Sequence, residues 1–94
     1  MLAAHAALPG ADLIAKGLAD LARGAESVPA FLVLVGAPRL RRLGLAVPER
    51  PDVPHPEHRL YAALAATHPD AAHTRYNALI RRLVSFERAA ECAA

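Results

Sequence analysis

The chain of 94 residues has one cysteine, Cys92, so no disulfide scaffold can staple it. Its only aromatic residues are Phe31, Tyr61, Tyr76 and Phe86, and β-branched residues are few. That scarcity excludes a large all-β fold, whose strands draw on those residue types. No apolar run approaches the roughly 18–20 residues a membrane-spanning helix needs. There is no glycine-rich phosphate loop, no G-x-G-x-x-G and no nucleophile elbow. Neither sign of charge dominates: 11 basic residues face 9 acidic ones, a net of +2. Such a small excess gives little of the counterion release that drives most nucleic-acid binding.

Apolar residues, by contrast, are plentiful. They make up 54% of the chain, which separates it from disordered sequences and is enough for one packed domain spanning residues 1–94. The Met1–Leu8 stretch is apolar but lacks the basic leader of an export signal, and together with the lone cysteine this sets the expectation of a cytoplasmic protein.

Helical periodicity accounts for most of the chain. Ile14, Leu18, Leu21 and Ala22 fall on one face of a helix from about Ala11 to Arg23, with Gly24 as its stop. Asp12 precedes Lys16 by four residues, the favourable order for an ion pair on that helix. Ser27 and Pro29 form a helix start, cap followed by first-turn proline. The run Phe31–Val35 that follows suits a short helix or a buried strand. The helix is preferred because no second strand pattern exists for a partner; a strand paired across a dimer is the alternative.

Gly36 and Pro38 break that segment, and a short basic helix, Pro38 to Leu43, ends at Gly44. Pro48, Pro51, Pro54 and Pro56 then forbid both helix and interior strand, which defines an extended connector over residues 46–56. Its P-x-x-P-x-x-P register can dock in aromatic grooves, but it reads first as a stiff linker. Beyond it, Leu60, Tyr61 and Leu64 mark a helix from about Glu57 to Thr67. The stripe Ala72, Tyr76, Leu79, Ile80, Leu83, Phe86 and Ala90 marks a final helix from about Ala71 to Ala90 or beyond. The expected fold is therefore all-α: a compact bundle of four to five helices with the proline-rich connector between the third and fourth.

Two features look incomplete in a single chain. The Phe31–Val35 segment is apolar on every side, and a final helix of about 30 Å is long for so small a domain. Both point to self-association, as a homo-oligomer or as the small subunit of a two-component assembly, with Phe31, Leu34, Phe86 and Ala90 as the candidate interface. The competing explanation is that the apolar segment is the central helix of the core.

Chemistry is harder to find. His5, His55, His58, His68 and His73 match no zinc spacing. Ser27, Ser85 and Cys92 lack a partnered base in sequence, and the carboxylates do not form an acid–base pair. No catalytic, cofactor or metal residue is assigned. The most distinctive feature is Arg39, Arg41 and Arg42, where an apolar helix, a glycine turn and a basic helix follow one another as in a helix-turn-helix. The expected function is a small non-catalytic interaction or regulatory protein. The alternative is a nucleic-acid binder using those three arginines on duplex edges and phosphates.

Overall fold

A computed structural model describes residues 5–93. Met1–Ala4 and Ala94 lie outside them, and with them part of the Met1–Leu8 stretch read above for export. The described residues hold five helices and no strand: α1 (Ala11–Ala22), α2 (Val28–Val35), α3 (Ala37–Arg42), α4 (Pro56–Thr67) and α5 (Ala72–Ala93). None of these helices is long and apolar enough to cross a membrane.

The Phe31–Val35 run lies within α2, which is the centre of the fold. It touches all four other helices, and Ala30, Phe31, Leu32, Val33 and Leu34 are all buried. A helix apolar all round is stable when neighbours cover it all round, and here the chain supplies every neighbour itself. Phe86 and Ala90 are equally buried, at 0% and 1% exposure. Phe31, Leu34, Phe86 and Ala90, the residues expected at an interface, all belong to the buried core of the single chain. Nor does α5 overhang. Its 22 residues, about 33 Å of helix, fit a molecule 38 Å in its longest dimension, and burial continues as far as Ala90.

Local chemistry sets the boundaries. Ser27 caps α2 by accepting a hydrogen bond from the Ala30 N–H at 3.2 Å, with Pro29 in the first turn. Gly24 and Gly44 stop α1 and α3 with left-handed φ values of +72° and +94°. Each stop closes with the paired hydrogen bonds of a Schellman turn: Ala25 N to Asp20 O with Gly24 N to Leu21 O, and Leu45 N to Leu40 O with Gly44 N to Arg41 O. Gly17 has a different role. A Cβ there would lie 2.4 Å from the Pro29 carbonyl oxygen and 2.5 Å from a Val33 methyl, so α1 rests directly on the backbone of α2.

The proline-rich connector is not a free linker. Val47 and Val53 are buried in the core, as is Leu45 just before the connector, and Arg50 reaches Asp52 and Glu26. Glu26 also holds Arg59 of α4 at 2.7 Å, and the Arg59 guanidinium lies 5.0 Å above the Phe31 ring. The connector is thus strapped onto the bundle. Tyr61 departs from the expected stripe of α4. Leu60 and Leu64 turn inward, while Tyr61 stays 40% exposed with its ring 5.7 Å from that of Tyr76.

The Asp12–Lys16 pair does not form. Lys16 turns the other way to Asp20 at 2.9 Å, and Asp12 meets Arg82 of α5 at 3.2 Å. Asp20 is the stronger partner because it is buried: a carboxylate 1% exposed must be satisfied on every side. It accepts from Ser27 Oγ at 2.6 Å, from Lys16 and from Arg23, and these bonds hold its carboxyl far below the usual carboxylate range against the opposing effect of burial. One hydroxyl therefore caps α2 and ties it to α1.

Candidate functional site

The basic helix α3 is packed against two hollows, and its three arginines have different surroundings. Arg39 reaches across to α5. Its guanidinium grips both carboxylate oxygens of Glu91, through Nε at 3.1 Å and through an Nη, and its other Nη lies 3.3 Å from Glu87. This two-pronged geometry is the strong form of an arginine–carboxylate bond. It raises the Arg39 pKa and lowers that of Glu91. Glu87 behaves oppositely. Its side chain is 5% exposed, and burial pushes its pKa upward despite the pull of Arg39.

Arg41 folds back onto the connector. It donates to the Val47 and Pro48 carbonyls, both at 3.1 Å, and pairs with Glu49 at 3.3 Å. Arg42 is exposed at the edge of the α3–α5 cleft, close enough to lower the pKa of Glu91 by its charge. The structure thus brings the three predicted arginines onto one short helix but not onto one face free for phosphate. Arg39 and Arg41 are engaged by carboxylates and carbonyls of the same chain, and Arg42 is exposed at the edge of the groove.

Between α3 and α5 lies an open groove of about 320 Å³. Val35, Pro38, Ile80, Leu83 and Val84 make its apolar lining, with Arg39, Arg42 and Glu87 at its polar end. Gly36 belongs to the floor, where a Cβ would meet Leu83 and Glu87 at 2.9–3.0 Å; its missing side chain lets α5 settle into the α2–α3 corner. Ile80 leans on the core, whereas Val84 is half-buried in the groove without joining it. A second hollow, about 340 Å³, lies on the other side of α3 between Leu34, Arg41, Arg50 and Val53. Its charged groups already have partners, because Arg41 holds Glu49 and Arg50 holds Asp52.

The remaining candidates stay apart. His55 and His58 lie with ring centres 5.4 Å apart, and His55 sits 3.8 Å from Glu57. His68 bonds Thr67, and His73 bonds Asn77. His5 turns its ring edge-on to Phe86 at 5.9 Å. Among the described residues no three His, Cys, Asp or Glu side chains converge as a metal ion requires. Ser27 is occupied as a cap, and Cys92 is exposed on the last turn of α5.

Sequence reasoning overlooked Glu87 and Asp20, the two buried carboxylates. A signal existed for both. Asp20 falls on the α1 face of Ile14, Gly17 and Leu21, and Glu87 falls between Leu83 and Ala90 on α5. A charged residue on an apolar stripe has to be paired. Comparison of the chain with protein-family models, with curated proteins and with solved structures finds no match.

Proposed function

We propose that the chain is a small, non-catalytic interaction protein that receives a segment of a protein partner in the groove between α3 and α5. The observation that carries this reading is the apolar lining left open there: Val84 is half-buried but not packed into the core, and Ile80 and Val35 stand beside it. A partner helix laid in an apolar groove, anchored by side chains three or four positions apart, is one recurring mode of recognition. The groove is held in shape by the Arg39 grip on Glu87 and Glu91, so it exists before a partner arrives and little ordering opposes binding.

Self-association has lost its principal motive, because α2 and the inner face of α5 are covered by their own chain. The partner is accordingly a different protein. The test compares the tagged wild-type chain with Val84→Glu in cross-linked capture from its source cells. A partner retained by the wild type and lost by the variant is the expected outcome, with both proteins equally helical by circular dichroism. Identical capture profiles refute the groove as the contact.

A further inference from the structure

Taking the groove as the docking site, we infer that its occupant is an acidic amphipathic helix. The inference rests on how charge is arranged around the apolar floor. On α5, Ile80, Val84, Glu87 and Glu91 share one face at spacings of four, three and four. The adjoining stripe, one position further round, carries Arg81 and Arg88 seven residues apart, and both are exposed. Asn77 and Ser85 complete that stripe, which contains no acid. Across the cleft, α3 presents Arg42, also exposed.

Arg39 balances one of the two carboxylates, and Arg42, Arg81 and Arg88 outnumber the other, so the surroundings of the groove stay positive. An incoming helix thus meets an apolar floor and a positive rim on each side. A helix with a Leu or Ile stripe flanked by Asp or Glu matches both features. A second copy of this chain fits less well. A two-fold contact through the groove would bring its positive surroundings onto the same positive surroundings of the other copy, and that repulsion opposes association. A nucleic-acid backbone fits less well. It would lay phosphates over an apolar floor of Val35, Ile80, Leu83 and Val84 and has no apolar stripe to match it.

The test uses the full chain and two labelled helical peptides of about five turns. They share one Leu/Ile stripe; one carries Glu along its flanks and the other Lys. Fluorescence anisotropy at about 0.02 M salt is expected to show the Glu peptide binding at least about tenfold more tightly, with the gap closing at about 0.5 M. Arg88→Glu, and separately Arg42→Glu, should each shrink the gap, while Val84→Glu should weaken both peptides. Equal binding of the two peptides overturns the acidic-partner inference; if Val84→Glu still weakens both, the groove remains the docking site. Failure of both peptides to bind, or indifference to Val84→Glu, overturns the docking site as well. A labelled DNA duplex that binds more tightly than the Glu peptide and loses affinity with Arg42→Glu replaces this inference with the nucleic-acid one.

Discussion

Gly17→Ala should destabilise the protein, although substituting alanine for glycine inside a helix normally helps. The intrinsic gain at an interior helical position is about 1 kcal/mol. Against it stands the contact between α1 and α2. The new methyl would lie 2.4 Å from the Pro29 carbonyl oxygen, 2.9 Å from its carbon and 2.5 Å from a Val33 methyl. The Val33 methyl can be moved by a small torsion, but the Pro29 carbonyl is helix backbone. Restoring ordinary contact therefore requires α1 and α2 to part by about 1 Å, and a gap of that size forfeits up to about half the attraction between the facing atoms. Overpacking of this kind costs about 1–3 kcal/mol, and a backbone obstacle puts this site near the upper end. The net is a loss of about 2 kcal/mol, or a fall in Tm of roughly 10 °C for a domain of this size. Ala19→Gly, at an exposed position in the same helix, supplies the calibration. It should lose about 1 kcal/mol through propensity alone. Thermal and urea unfolding of the two variants decide the matter. If Gly17→Ala gains what Ala19→Gly loses, the two helices do not lie backbone to backbone and the α1–α2 packing described above is wrong.

Acid should unfold the protein partly through Asp20. Its folded-state pKa lies below the ordinary 3.8, so its bonds stabilise the fold above that value and their contribution is lost as pH falls through it and beyond; Asp20→Asn should flatten the fall in Tm between about pH 4 and pH 2. Asp52, lowered to about 2 by Arg50, contributes in the same direction but more weakly because it is exposed. Glu87 has the opposite sign. Its raised pKa means that protonation favours the folded state as pH drops toward the ordinary 4.5, so Arg39→Ala should lower Tm most above that range, and Glu87→Gln in the same chain should recover part of the loss. Phe86→Ala should cost about 3–5 kcal/mol in denaturant unfolding without changing the mass measured by light scattering. A change of oligomeric state with little loss of stability would return Phe86 to an interface.

Periodicity made the helices legible because each has a stripe, a cap or a stop written locally. The Ser27–Pro29 start and the Gly24 and Gly44 stops act through their own few residues, so sequence suffices for them. The all-round apolarity of Phe31–Val35 was ambiguous for a physical reason. Burial on every side reads the same whether the covering atoms come from this chain or from another, and only the packing of α1, α4 and α5 around α2 decides between them. The one ion pair read from spacing, Asp12–Lys16, fell to a competing aspartate. Lys16 has an aspartate four residues away in either direction, and local spacing does not say which one is buried. The connector was legible as an extended segment but not as a packed one, because prolines forbid regular structure without forbidding packing, and Val47 and Val53 carry it onto the core.

The arginine cluster shows why charge counted along the chain is a poor guide to charge offered to a partner. Residues 39–42 hold three arginines in four positions, which in sequence is the strongest basic feature present. Folding draws Arg39 to Glu91 and Glu87 across 52 and 48 positions, and turns Arg41 back to carbonyls six and seven residues on. Arg42 is left exposed at the groove, and Arg81 and Arg88, which sequence places about forty residues away, are exposed on the neighbouring stripe of α5. The positive surface that results differs from the one written in the sequence. It borders an apolar groove rather than a flat helix face, and it is shared between two elements whose distance Arg39 sets. Loosening that one side chain would therefore alter the groove width and the rim charge together. Arg39→Lys should show this, because an ammonium cannot grip both oxygens of Glu91 while holding Glu87. Binding of the acidic helical peptide should weaken with Arg39→Lys, even though the charge of the chain is unchanged. Undiminished binding would mean that the grip on α5 does not shape the site.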